Sequence, residues 1–266
     1  MITPLTSPVS NNNSRTLYGI IQNLNLTTSL DFVLDAADTR CYDGSSQTWT
    51  DPVAANNFFL GLDVTASATD PTFVGTAGLA TDGTYFSFDG GDYFTETAAH
   101  TFADEWHQNN GAFSIVSVFY SAAASARNIF GNTAGNATDG GIDLSMLATD
   151  VIRLRKAITD TTDENLDSVA TVTSASWNFV GVSFVEATPT ATIRVNGTSL
   201  DLVPSASTST EVPSNNTQIC ARGNNTRPFA NTDRLACIAG WSAGIGSASV
   251  GNIYAALKAR RFITLP

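Results

Sequence analysis

Few residues in this chain have both the type and the spacing that catalysis demands. Gly240-Trp241-Ser242-Ala243-Gly244 has the G-x-S-x-G form of a nucleophile elbow. In an α/β-hydrolase that motif joins a strand to a helix and needs a histidine later in the chain. Both histidines, His100 and His107, precede Ser242, and the surrounding pattern is β, so the pentapeptide reads as a strand end running into a Gly-rich turn. Any other hydroxyl nucleophile still needs a positioned base. His107 beside Asp104 and Glu105 is the one nearby pairing, and a solvated loop histidine is its plainer reading.

Binding chemistry has more material. Asp160, Asp163, Glu164 and Asp167 crowd one segment, and Asp89 and Asp92 flank a turn; these are the hard oxygen ligands that calcium takes. The first group lacks EF-hand spacing, and a solvated acidic connection between strands competes with the calcium reading. No Cys/His arrangement has zinc spacing. Four tryptophans invite stacking on the apolar face of a pyranose ring. Trp177 and Trp241 fall inside strand patterns and are expected in the core, whereas Trp49 and Trp106 sit in polar contexts, SSQTWTD and ADEWHQNN, and are the candidate glycan-binding residues.

These groups need a scaffold, and composition says what kind. The chain has 266 residues, 42% of them hydrophobic and only 14% charged, so a large core is affordable to build and the surface must be uncharged Ser, Thr, Asn and Gly. All-β units of this length often form one domain. The net charge of −11 repels a phosphate backbone, and the short basic runs at 153–156 and 258–261 do not offset it, so nucleic acid is excluded as an expected partner. No apolar run has the length of a membrane span, and the first residues lack the basic start and apolar stretch of a secretory signal. The chain is therefore expected to act away from membranes, unsecreted or already processed. Cys41, Cys220 and Cys237 are an odd number, which argues against a disulfide framework. A Cys220–Cys237 bridge across a hairpin near Pro228 and two buried thiols are the competing readings. N-x-S/T triplets such as those at Asn12, Asn136 and Asn196 are expected by chance in so polar a chain.

The clearest element is WNFVGVSFVEATPTATIRVNGTSLDL at 177–202. Val180, Val182 and Phe184 alternate with small or polar residues, the run breaks at Ala187 to Pro189, and Ile193 and Val195 resume it before the Asn196-Gly197 reversal. Further short β runs (LDFVLDA, TYFSFDG, YFTET, AFSIVSVFY, RNIFG, IDLSML, VIRLRKA, SVATVTS, TQICARG, RLACIAGWS) alternate with Gly, Asn, Asp and Pro, the spacing of an antiparallel sandwich. Phe86, Phe88, Tyr93 and Phe94 around Asp89-Gly90-Gly91 read as a hairpin that feeds the core. Only 249–261 shows helical periodicity, through Val250, Ile253, Tyr254 and Leu257. Residues 1–28 are rich in Pro, Ser, Thr and Asn with one apolar patch, Leu17, Tyr18, Ile20 and Ile21, and are expected to form an assembly or docking arm ahead of a sandwich at 29–266.

The motif order LDFVLDAADTRCYDGSSQTWTD, DGTYFSFDGGDYFTET, GAFSIVSVFY, SWNFVGVSFVEATPTATIRVNGTSL, RLACIAGWSAGIGSASVGNIYAALKAR resembles the concanavalin A-like, laminin-G-type jelly-roll superfamily over residues 29–262. The versions it most resembles occur in bacteriophage structural proteins and bacterial surface proteins. The resemblance implies an all-β two-sheet jelly roll closed by one short helix. It also implies a non-enzymatic virion component assembled in the host cytoplasm, a capsid decoration or a tail or fibre part, homo-oligomeric and partnered by other virion proteins. The alternative is a glycan-binding module, an adhesin or receptor-binding protein that takes a host glycan, with calcium as the one cofactor to consider. Hydrolases of that superfamily carry paired carboxylates about 5 Å apart from an E-x-D-x-x-E strand motif. Glu96, Glu105, Glu164, Glu186 and Glu211 do not form that motif, so no enzyme is expected.

Overall fold

The computed structural model describes residues 15–80, 83–98, 102–135, 139–260 and 263–266. In chain order the elements are α1 (Leu17–Asn23), β1 (Leu30–Asp35), β2 (Thr48–Trp49), β3 (Phe58–Leu60), β4 (Thr72–Val74), β5 (Tyr85–Ser87), β6 (Phe94–Glu96), β7 (Ala112–Ser121) and β8 (Arg127–Gly131). There follow β9 (Ile142–Met146), β10 (Val151–Thr159), β11 (Thr162–Thr171), β12 (Ser176–Val185), β13 (Thr190–Val195), β14 (Thr198–Leu202), β15 (Gln218–Ile219), β16 (Arg234–Trp241) and α2 (Gly246–Arg260). The architecture is the expected one: two eight-stranded antiparallel sheets stacked as a jelly-roll sandwich.

One sheet runs β14-β13-β12-β7-β16-β5-β4, with β1 also pairing on β16; the other runs β11-β10-β9-β8-β15-β6-β3-β2. Strand alternation divides the first sheet between two cores. Phe113, Ile115, Phe119, Val180, Val182 and Phe184 face the second sheet and join the main core. Val116, Val118, Phe179, Ala239 and Trp241 face the other way, into a second cluster completed by Leu17, Ile20 and Ile21 of α1 and Val250, Ile253 and Leu257 of α2. Helices thus cover the outer side of this sheet. Gly181 lets α2 lie close, because a Cβ there would meet Val250 Cγ1 at 2.4 Å. The outer side of the other sheet carries no helix among the described residues, and its strands place polar side chains there. We call the two sheets covered and open.

The strand pair at 177–202 forms as its pattern predicts. β12 and β13 pair from Val180↔Val195 to Val185↔Thr190, and β13 turns into β14 through Asn196 and Gly197, with Asn196 at φ +52. Its side chain also fixes the turn: Phe179 N donates to Asn196 Oδ1 at 2.8 Å.

Two expectations need correction. Residues 15–28 are no extended arm. Thr16 caps α1 by accepting from Gly19 N at 3.2 Å, Leu17 N donates to Asp35 Oδ2 at 2.7 Å, and Trp241 Nε1 donates to Leu26 O at 2.7 Å. Leu17, Ile20 and Ile21 are wholly buried, and Tyr18 is half-buried under the Arg40 guanidinium, so the apolar patch closes the chain's own core instead of facing a partner. The rest of the expected arm, 1–14, lies outside the described residues. The aromatic run at 85–94 is no hairpin either: β5 belongs to the covered sheet and β6 to the open one, so Asp89 to Asp92 carry the chain from one layer to the other. Its four rings are nonetheless core residues, as expected. Of the two readings for the cysteines, buried thiols are what the structure has: Cys41, Cys220 and Cys237 are buried and none is bridged, and burial pushes the Cys41 and Cys220 thiols up.

Candidate functional site

The open sheet concentrates charge on its outer face. Along β10, Ile152 and Leu154 enter the core while Arg153 and Arg155 point outward, the period of two that any strand imposes. Arg153 stands across from Ser145 of β9 and Asp167 of β11; Arg155 stands across from Asp143 and Asn165. Arg153 grips Asp167 with two parallel bonds, Nε to Oδ1 at 2.7 Å and Nη2 to Oδ2 at 2.8 Å, which raise its guanidinium further. Arg155 binds Asp163 through Nε at 2.8 Å and through Nη2. Arg222, just past β15, donates Nε to Asp143 Oδ2 at 2.7 Å, and Asn128 Nδ2 donates to the other oxygen at 2.6 Å.

Arg227 completes the group and differs from its neighbours. It is exposed, sits at φ +53, and accepts Asn128 N on its carbonyl at 2.9 Å. Among the described residues its guanidinium has no ion-pair partner. Desolvation lowers it from its ordinary value, and the adjacent Arg222 lowers it further, with Arg153 and Arg155 in the same sense and Asp143 opposing. Four guanidiniums therefore share this face with three carboxylates, Asp143, Asp163 and Asp167. Arg155 Nη1 is buried without a hydrogen-bond partner among the described residues. With Arg227 unpaired among the described residues, this face carries a local positive excess in a chain of net charge −11.

The acidic residues expected to hold calcium are built into this scaffold. The segment from Thr162 onward is β11 and no loop. Asp163 and Asp167 are taken by Arg155 and Arg153; Glu164 accepts from Ser205 N at 2.9 Å and from Ser205 Oγ at 2.9 Å; Asp160 accepts from Ser209 Oγ at 3.1 Å. Asp160 and Glu164 thereby pin the irregular strap at 203–217. No group of three or more acidic, His or Cys side chains is placed to hold a metal among the described residues, and this donor set does not fit calcium.

The two candidate sugar-stacking rings are also interior. Trp49 is 0% exposed and packs on Phe86 and Phe94, each with ring centroids at 4.8 Å. Trp106, 2% exposed, is sandwiched between Phe113 at 5.5 Å and Phe130 at 5.7 Å, nearly parallel to both. Neither presents an open face to a sugar. Polar neighbours in sequence did not make these positions exposed, because Trp49 is a residue of β2 facing the core and the segment that carries Trp106 folds over it.

The G-x-S-x-G pentapeptide is, as expected, the end of β16 running into a turn, with α2 beginning at Gly246. Ser242 Oγ donates to Asp31 Oδ1 at 3.0 Å and to no histidine. His107 is buried, and desolvation pulls it down to about 4. His100 lies outside the described residues. The arginine face is the group of functional side chains that motif spacing along the sequence does not single out. Its signal was present: Arg153 and Arg155 two apart in one strand, Asp163 and Asp167 in the next, all with the parity opposite to the core residues.

No family model matches the chain, and no curated protein matches it. Solved structures do. A mutant of Trypanosoma rangeli sialidase displaying trans-sialidase activity is similar at TM-score 0.54 and 12% identity, over 90% of this chain and 34% of that one. Botulinum neurotoxin type C, which depends on interaction with two ganglioside molecules to get into cells, is similar at TM-score 0.53 and 10% identity, over 88% of this chain and 52% of that one. The binding domain of botulinum neurotoxin DC, solved with rat synaptotagmin II, gives 0.52 and 9%, over 87% and 52%. The chain thus spans a third to a half of the length of these structures. At such identities the likeness is one of fold, a two-sheet β-sandwich, and none of the three is a phage protein.

Proposed function

We propose that this chain is a glycan-binding module that takes an acidic glycan on the arginine face of its open sheet. The observation that carries the reading is the guanidinium excess: Arg153, Arg155, Arg222 and Arg227 against Asp143, Asp163 and Asp167, with the Arg155 Nη1 donors unpaired. Guanidinium planes match carboxylate or sulfate groups in pairs of parallel hydrogen bonds, whereas neutral sugars would leave the excess charge unanswered. The ganglioside dependence of the neurotoxin of similar fold supports the choice of glycan over other anions. The module binds without turnover. A place on a virion, and homo-oligomerisation there, rest on the sequence resemblance alone; the mass of the particle-free protein by light scattering tests the second.

The direct test is titration of carboxylated, sulfated and neutral oligosaccharides into the full chain and into Arg227→Asn. Asparagine tolerates the left-handed backbone at this position, and the side chain it replaces has no ion-pair partner among the described residues, so the fold is expected to be unaffected. Binding of acidic over neutral sugars, weakened about tenfold by the substitution and by raising salt, is the expected outcome. Equal binding of neutral sugars, or an Arg227→Asn protein that binds like wild type, overturns the proposal.

A further inference from the structure

A second cavity lies at one end of the sandwich, away from the arginines. Its volume is about 300 Å³, and its walls are the 102–112 segment and the end of β16, with Glu105, Gln108, Asn109, Asn110, Gly111 and Ser242 supplying the polar surface. Among the described residues no basic side chain lines it. Its lining offers oxygen acceptors on several sides, beside the amide donors of Asn109 and Asn110. Gln108 donates its Nε2 to Glu211 O at 3.0 Å, which leaves Oε1 as its free end. Ser242 spends its proton on Asp31 Oδ1, so the lone pairs of Oγ remain. The backbone carbonyls of Trp106, Glu105 and Gln108 crowd round Gly111; Glu105 O and Gln108 O already accept from Gln108 N at 3.1 Å and Gly111 N at 2.8 Å, and each keeps a second lone pair. Glu105 is exposed and forms no ion pair among the described residues. Behind Ser242, the Asp31 carboxylate adds a further negative group, with Asp51 close to it.

We infer that this cavity binds a small primary ammonium group, held by the Glu105 carboxylate and the surrounding oxygen acceptors. An ammonium brings three donors for these acceptors, and its charge answers Glu105. A neutral polyol would leave that charge unanswered. A divalent metal would ask for more carboxylates than the one that lines the cavity. The rigid part of the wall is Trp106, whose two faces are held by Phe113 and Phe130, so the site is formed before its ligand arrives. The site is independent of the glycan face: its ligand is a cation and the other's an anion.

The test is calorimetric titration of D-glucosamine, D-glucose and N-acetyl-D-glucosamine into the full chain, three probes that share a ring and differ at C2, which carries an ammonium, a hydroxyl and an uncharged amide. Glucosamine is expected to bind at least tenfold more tightly than the other two, to lose about tenfold with Glu105→Gln, and to bind unchanged to Arg227→Asn. Equal affinity for the three probes overturns the inference, as does indifference to Glu105→Gln or an absence of glucosamine binding at tens of millimolar. Loss with Arg227→Asn alone places the ligand on the arginine face and overturns it too. Failure of the acidic glycan to bind leaves each of these results readable.

Discussion

At the scale of the residue, burial decides charge here, and the consequences run in opposite directions. Desolvation raises Asp31 from 3.8 to about 6, against the bond from Ser242, and raises Asp92 to about 7. Between the unfolded and folded values the native state holds the proton that the unfolded chain has released, so their contribution is full below pH 4 and is lost as the pH rises through 6 to 7. His107 has the reverse sign. Desolvation lowers it from 6.5 to about 4, so its contribution is present above 6.5 and is lost as the pH falls toward 4. Thermal melts across pH 4–7 separate the two. Asp31→Asn keeps an acceptor for Ser242, and its melting temperature relative to wild type is expected to climb as the pH rises. His107→Gln should gain on wild type as the pH falls. A variant whose difference from wild type is flat with pH would show that its group does not titrate as the burial implies.

The elements divide into those whose local pattern suffices and those that need a partner far away in sequence. β12, β13 and β14 were legible because alternation and an Asn-Gly reversal lie within one stretch of chain. α2 was legible from its apolar spacing. By contrast, α1 is seven residues long and has no helical future alone; it exists because β1, β16 and α2 offer it a buried groove. Deletion of residues 1–28 is therefore expected to remove core, uncapping Asp35, Trp241 Nε1 and the second cluster, and not to release a folded sandwich from a tether. Circular dichroism and urea denaturation of a chain starting at Ser29 check this: a loss of several kcal/mol, or no cooperative transition, is expected from burying three fewer large aliphatic side chains at about 1.5–3 kcal/mol each. A truncated protein as stable as the full chain would restore the independent arm. β11 failed to be read for a related reason. TDENLD looks like a solvated turn until Arg153 and Arg155 stand across from it and make each aspartate a cross-strand partner.

For the molecule as a whole, the division of labour follows from which sheet is covered. Two helices occupy the outside of one sheet, so polar function is left to the outside of the other and to the sandwich ends. The acidic total charge favours solubility and repels polyanions in general, and the arginine face is the local exception that makes any anion binding site-specific and salt-sensitive. By itself the sequence determined the class of fold, the hairpins, the closing helix and most of the core, because alternation, turn residues and composition act over a few residues at a time. Only the tertiary structure decided that Trp49 and Trp106 are interior, that Leu17 to Ile21 are core, and that four arginines from β10 and the loop after β15 meet on one surface. Exposure and charge balance depend on which segments pack together from opposite ends of the chain, and no local pattern carries that information.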